Sequence, residues 1–229
     1  MMQLTQLFNG HLPRLVMFDL DGTLVDSVPD LATAIDQMLS QLGRPAAGVH
    51  QVRQWVGNGA QVLVRRALAG QLDHQAVSDQ ETAQALPLFM AAYGQGHGQT
   101  CIYPGVQPVL RWLQSAQVPL ALITNKPEQF IAPLLKEADL EGLFQWIVGG
   151  DTLPQQKPDP AALLHVMAQA QVSPRQALFI GDSRNDILAA RAANVRCVAM
   201  SYGYNHGRPI EEENPDLVLD DLRALLLPG

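Results

Sequence analysis

The 229-residue sequence predicts an α/β protein, a doubly wound and mainly parallel sheet with a helical segment inserted near its start. Three observations carry that expectation. Short apolar runs recur along the chain and stop abruptly at polar residues. Stretches of helical spacing separate those runs. One long early stretch keeps helical spacing throughout, with no strand-like run inside it.

The first run, Leu15-Val16-Met17-Phe18, ends at Asp19 and Asp21. Behind it, Leu31, Ile35, Met38, Leu39 and Leu42 recur at helical intervals, followed by Val52, Trp55 and Val56, then Val62, Val64 and Leu68. Acids favour helix starts, so Asp26 and Asp30 are expected to cap the first of these helices. Gly94-Gln95-Gly96-His97-Gly98 supplies a flexible return and, with Pro104-Gly105, a pair of hinge candidates. The expected division is a core of residues 1–25 and 101–229 and a helical cap of residues 26–100 inserted after the first strand. Beyond the return the runs resume: Val118 to Ile123 before Thr124-Asn125-Lys126, Trp146 to Val148 before Gly149-Gly150-Asp151, and Ala177 to Ile180 before Gly181-Asp182-Ser183. Cys197 to Met200 and a weaker Leu217-Val218-Leu219 complete the set. Continuous apolar runs of this length suit strands buried on both faces, as a parallel sheet requires. Helical patterns fill the gaps at 106–116, 128–138, 160–170 and 185–193.

Composition narrows the function. The chain is 47% hydrophobic, enough for a sizeable core, and its formal net charge of −7 comes without any Lys/Arg run. Nucleic acid is therefore a poor partner. Cys101 and Cys197 lie in apolar company with no CxxC partner, the pattern of buried free thiols in a reducing compartment. The segment MMQLTQLFNGHLPRL lacks a basic region followed by an apolar one, and no apolar stretch spans a bilayer. A cytoplasmic protein, monomeric or homodimeric, is expected.

Two acids one residue apart at a strand end need a reason. At roughly 4 Å and an effective dielectric near 20, two carboxylates repel by about 4 kcal/mol, and a divalent cation is the first candidate to offset that. In open α/β sheets ligands bind outside the carboxyl ends of the strands. Three runs deliver polar groups to that edge: Asp19 and Asp21, then Thr124 and Asn125, then Asp182. Lys157, in K-P-D-P, adds a cation at a helix start. The set suits phosphoryl transfer. Carboxylates hold Mg²⁺ through hard oxygens, one acid attacks phosphorus, and a hydroxyl, an amide and an ammonium neutralise the phosphoryl oxygens. The second acid then protonates the leaving alkoxide. Taken singly each piece is weak: D-x-D reads as loop acids, Thr124 as a helix N-cap and Lys157 as a surface lysine. The sixth position of an EF-hand loop would be Leu24 rather than Gly, and no complete nucleotide-binding glycine loop is present. The ordered set outweighs the separate readings.

D-L-D-G-T-L-V-D-S at 19–27, T-N-K at 124–126, K-P-D-P at 157–160 and G-D-S-R-N-D at 181–186 resemble the motifs of the haloacid dehalogenase superfamily. The resemblance covers essentially the whole chain. It implies a Rossmann-like core with an inserted helical cap. D-S-V-P-D-L, W-V-G-N-G, P-G-V and G-Y-N-H-G look most like the bacterial phosphoglycolate phosphatase branch. Carried over residue by residue, the resemblance implies Asp19 as nucleophile and Asp21 as general acid/base. Thr124, Lys157 and Asn125 then bind phosphate, and Asp19, Asp21 and Asp182 bind Mg²⁺, Asp21 through its backbone carbonyl. Asp186 has a supporting role in some relatives. The implied reaction is Mg²⁺-dependent hydrolysis of 2-phosphoglycolate through an aspartyl-phosphate. Arg53, in the expected cap loop 53–59, is either a solvated cation or the partner of a substrate carboxylate. Two alternatives stay open: a hydrolase or mutase of the same fold acting on another small phosphoester such as a sugar phosphate, and a signalling module phosphorylated on aspartate. Dehalogenation needs no Mg²⁺ and usually lacks the second acid, present here as Asp21.

Overall fold

Alternate residues of the apolar runs go to opposite faces of one sheet, which is why those runs show no polar side. The computed structural model describes residues 2–96 and 98–228; His97 of the glycine-rich return lies outside the described residues. The elements in chain order are α1 (Gln3–Gln6), β1 (Leu15–Phe18), β2 (Val25–Asp26), α2 (Val28–Gln41), α3 (Gly48–Trp55), α4 (Gly59–Ala69) and α5 (Asp79–Tyr93). There follow β3 (Cys101–Ile102), α6 (Val106–Ser115), β4 (Leu120–Ile123), α7 (Ile131–Glu137), β5 (Trp146–Val148) and α8 (Ala161–Ala170). β6 (Ala177–Gly181), α9 (Arg184–Ala192), β7 (Arg196–Met200) and β8 (Leu217–Leu219) complete the chain.

β1, β4, β5, β6, β7 and β8 form a six-stranded sheet in the order β5-β4-β1-β6-β7-β8, with every neighbouring pair parallel. From β1 the chain builds outward through β4 and β5, then returns to build β6, β7 and β8 on the other side. The strand order therefore reverses at β1, and the crevice over its carboxyl end is the natural ligand position. Val16 and Phe18 pack with Leu120, Leu122, Leu178 and Ile180 against α6 and α7 on one face. Leu15 and Met17 pack with Ala121, Ile123, Ala177 and Phe179 against α8 and α9 on the other.

Helices α2 to α5 form their own apolar cluster, built on Ile35, Met38, Val52, Trp55, Val64 and Phe89, to which Phe130 and Tyr204 are added from outside. α5 begins at a capping box, in which Ser78 accepts from the Glu81 backbone while the Glu81 carboxylate accepts from that of Ser78. At α2 the expected acid caps divide. Asp26 accepts from the Val28 backbone at 3.3 Å, but Asp30 points back to the return segment, accepting from the Gln99 backbone at 3.1 Å and the Thr100 hydroxyl at 2.6 Å. The chain leaves and re-enters the sheet side by side, because β2 and β3 pair antiparallel as Val25 with Ile102 and Asp26 with Cys101. At that edge Cys101 is exposed, contrary to the expectation of burial, while Cys197 is buried in β7 as expected. A two-residue strand at the margin of the core has no second layer to cover its side chains. Among the described residues no helix is long and apolar enough to cross a membrane.

Candidate active site

β1 carries Asp19 to the crevice, and its peptide N–H continues the ladder by donating to the Ile180 carbonyl at 2.9 Å. β4 delivers Thr124 in the same way, donating to the Val148 carbonyl at 2.9 Å, and β6 delivers Asp182. All three side chains are buried. Asp182 is held from two sides, accepting from the Thr23 hydroxyl at 2.6 Å and from the Tyr204 backbone at 2.6 Å. Two glycines leave room for it. A Cβ at Gly22, where φ is +95°, or at Gly203, where the backbone is not in the left-handed region, would fall on the Asp182 carboxyl.

G-D-S-R-N-D also starts α9. Asp186 sits at the third helical position of a capping box, with Oδ2 accepting from the Ser183 backbone at 3.0 Å, the Ser183 hydroxyl at 2.7 Å and the Asp182 backbone at 3.1 Å. Its Oδ1 accepts from Lys157 Nζ at 2.6 Å, and the same ammonium lies 2.8 Å from Asp19 Oδ1. Asp19 Oδ1 is buried, and among the described residues Lys157 is the one cation paired with it. Burial, outweighing the pull of Lys157 and joined by repulsion from Asp186 and Asp21, pushes Asp19 up to about 7. Burial also raises Asp182, with Asp186 and Asp19 adding to the effect. Burial alone would lower Lys157, but Asp186 and Asp19 carry it above the ordinary lysine value. Desolvation dominates at the two acids, and the crowding of carboxylates adds to it there and outweighs it at the ammonium.

Asp19, Asp182 and Asp186 each offer a carboxylate oxygen within 4.8 Å of the others. Three clustered hard carboxylate oxygens fit a divalent cation. Asp21, expected in the metal set, turns its carboxylate elsewhere. It accepts from Lys126 Nζ at 2.9 and 3.2 Å and closely from the Ser27 hydroxyl, so only its backbone carbonyl is left for a cation.

Two expected phosphate or substrate contacts are engaged otherwise. Asn125 accepts from the Lys157 backbone at 3.0 Å and donates to the Lys157 carbonyl at 2.8 Å and the Gly57 carbonyl at 3.1 Å. Its amide positions Lys157, and Asn125 also lines the pocket. Arg53 donates to Asp26 at 2.8 Å, stacks over the Tyr204 ring at 5.1 Å and does not line the pocket. Hydrogen bonds from Tyr204 and Arg53 hold Asp26 below its ordinary value in spite of partial burial.

The pocket over Asp19 is small, a cavity of about 50 Å³. Its floor is Asp19, Asp21, Thr124, Lys126 and Lys157, and its roof is mostly apolar: Leu31, Val56, Leu63, Phe89 and Phe130. The roof is fastened at Gly57, whose carbonyl accepts from Asn125 and from Asn185 at 3.0 Å. His206 adds a bond beside it, its Nδ1 donating to the Gln54 carbonyl at 2.8 Å. Sequence reasoning gave no role to Lys126, Tyr93 or Asn185. Only the fold brings α5 over β4, and the one signal was Lys126's place directly after Thr124-Asn125.

Residues 13–194 match the model of the haloacid dehalogenase-like hydrolases. The chain is 66% identical to a phosphoglycolate phosphatase of Pseudomonas putida over 98% of its own length and 82% of the relative's. It is 65% identical to phosphoglycolate phosphatase 1 of Pseudomonas aeruginosa, over 96% and 80%. A crystal structure described as that of a predicted phosphoglycolate phosphatase from Haemophilus somnus superposes with a TM-score of 0.83 at 37% identity, covering 91% of this chain and 94% of that one. With the acids, the lysine and the parallel sheet in their places, the chain belongs to the haloacid dehalogenase-like hydrolase family.

Proposed function

We propose that the chain is a phosphoric monoester hydrolase that cleaves 2-phosphoglycolate to glycolate and phosphate, with Asp19 as nucleophile. One observation carries the chemistry: Asp19 lies buried at the pocket floor, 2.8 Å from the Lys157 ammonium and clustered with two further carboxylates. The substrate rests on the names of relatives 63–66% identical over nearly the whole chain. The apolar side of the pocket, Leu31, Val56, Leu63, Phe89 and Phe130, suits a short leaving group better than the hydroxyls of a sugar, the nearest alternative.

In this reading Asp19 attacks phosphorus, an aspartyl-phosphate forms and the ester P–O bond breaks. Asp21 gives a proton to the departing glycolate oxygen. It then takes a proton from water, whose oxygen attacks phosphorus and frees Asp19 and phosphate. Lys157 and the Thr124 hydroxyl face the phosphoryl oxygens, while Asn125 and Asp186 hold Lys157 in place. Asp19, Asp182 and the Asp21 carbonyl would hold Mg²⁺, which supplies positive charge to the phosphoryl group when bound. Helices α2 to α5 act as a cap over residues 1–25 and 101–229 and exclude bulk water from the pocket.

The test is phosphate release from 2-phosphoglycolate beside a panel of sugar phosphates, with Mg²⁺ and with EDTA. Release is expected on 2-phosphoglycolate, lost with EDTA and reduced roughly 10³-fold or more in Asp19→Asn. Faster turnover of another panel member overturns the substrate. Full activity in Asp19→Asn overturns the mechanism.

A further inference from the structure

Lys126 is a second buried ammonium in the pocket, paired with Asp21 where Lys157 is paired with Asp19. Among the described residues these two are the cations lining it. Lys157 is committed to Asp19 and Asp186. Lys126 has a side chain only 3% exposed, donates to Asp21 at 2.9 Å and to the Tyr93 hydroxyl at 2.7 Å, and lies 4.6 Å from the Tyr93 ring centre. An ammonium carries three donors; its contacts are the two Asp21 oxygens, at 2.9 and 3.2 Å, and the Tyr93 hydroxyl, so a further acceptor would compete with the longer Asp21 contact. Burying a lysine in an apolar wall is costly unless its charge is used. Leu31, Leu63, Phe89 and Phe130 line the same pocket.

We propose that Lys126 receives a carboxylate on the leaving group and so selects phosphoesters bearing an acid beside the ester oxygen. The inference rests on the reading of the site as a phosphoester hydrolase. Asp21 serves the ester oxygen in that reading, so a cation bonded to Asp21 sits on the leaving-group side of phosphorus. In 2-phosphoglycolate the carboxylate is joined to that oxygen through a single methylene, which places it within reach of the same ammonium. A neutral leaving group leaves the Lys126 charge without this partner and sets a polar end against the apolar roof. Selection therefore comes from β4, on the sheet side, rather than from Arg53 of α3, whose guanidinium is paired with Asp26.

The experiment compares kcat/KM for 2-phosphoglycolate with that for 2-hydroxyethyl phosphate, its neutral counterpart of similar size. It is run on the wild type and on Lys126→Gln, Lys126→Met and Lys126→Arg. A charge-assisted hydrogen bond predicts that the ratio falls about 10- to 100-fold in the Gln and Met variants and is largely kept by Arg. Using the ratio cancels any general damage done through Asp21. Equal losses on both substrates would show that Lys126 acts on Asp21 alone and overturn the proposal. If the variants do not fold, the wild type decides, since equal kcat/KM on the acid and neutral esters also overturns it. A wild type that prefers some other phosphoester overall sinks the substrate reading separately, while the acid-to-neutral ratio still judges Lys126.

Discussion

Asp186 shows how much one short side chain arranges. Through the capping box it starts α9, fixes the Ser183 hydroxyl and holds the Asp182 backbone, and through its other oxygen it anchors Lys157. The same economy governs the space around Asp182, where the absence of a Cβ at Gly203 is a steric requirement with no special backbone angle behind it. Gly203→Ala is therefore expected to displace the Asp182 carboxyl from Thr23 and Tyr204. The expected cost is about 1–3 kcal/mol in urea denaturation, with a higher Mg²⁺ concentration needed for half-maximal phosphate release. An unaltered Mg²⁺ requirement would refute the account. At this scale the sequence was legible where chemistry demanded an unusual choice. Asp19, Asp21 and Asp182 stand out because acids at the ends of buried strands are costly. Lys126 did not stand out, because nothing local distinguishes a buried lysine from a surface one. The partners of Arg53 and Asn125 in the fold, Asp26 and the Lys157 backbone, were not legible because they are distant or invisible as sequence.

Among the elements, the inner strands were readable because two buried faces leave no polar position, and β8 was found at its observed bounds, Leu217–Leu219. β2 and β3 escaped notice, since two residues show no period. The junction between α3 and α4 gains its meaning only in the fold. There the Gly57 carbonyl takes two side-chain hydrogen bonds from the sheet side, one from Asn125 and one from Asn185. Asn185 makes this bond without lining the pocket. Removing it in Asn185→Ala loosens the roof by one hydrogen bond, net about 0.5–1.5 kcal/mol. The expected result is a KM for the phosphoester raised roughly 2- to 10-fold with a smaller change in kcat, checked by steady-state kinetics. A change confined to kcat would mean that the roof is not held by this bond.

For the molecule as a whole, stability should depend on pH through the contact at the roof's edge. Burial holds the His206 imidazole below its ordinary value; Arg66 adds to that effect, while the Gln54 carbonyl and Glu213 oppose it. A histidine depressed on folding is protonated more readily in the unfolded chain. Its contribution is therefore complete above the unfolded value near 6.5 and lost as pH falls through the depressed folded one. Thermal unfolding between pH 7 and 5 should show this loss in the wild type and a shallower one in His206→Gln; parallel profiles would assign the acid sensitivity to other groups. The overall architecture was legible because strand and helix patterns alternate over most of the chain. The pocket was not, since its roof and floor come from segments far apart in the sequence.

The pairing of β2 with β3 has a consequence for how such a chain can change. Because Val25 meets Ile102 and Asp26 meets Cys101, the segment between them departs and returns at one point. To the sheet, that excursion is equivalent to a hairpin whatever its length, so lengthening or rebuilding it adds little closure entropy to the remainder. The hydrolytic machinery and the helical roof over it can thus vary as separate modules joined at a common neck. A different helical roof spliced at the same two residue pairs would inherit the phosphoryl chemistry ready-made.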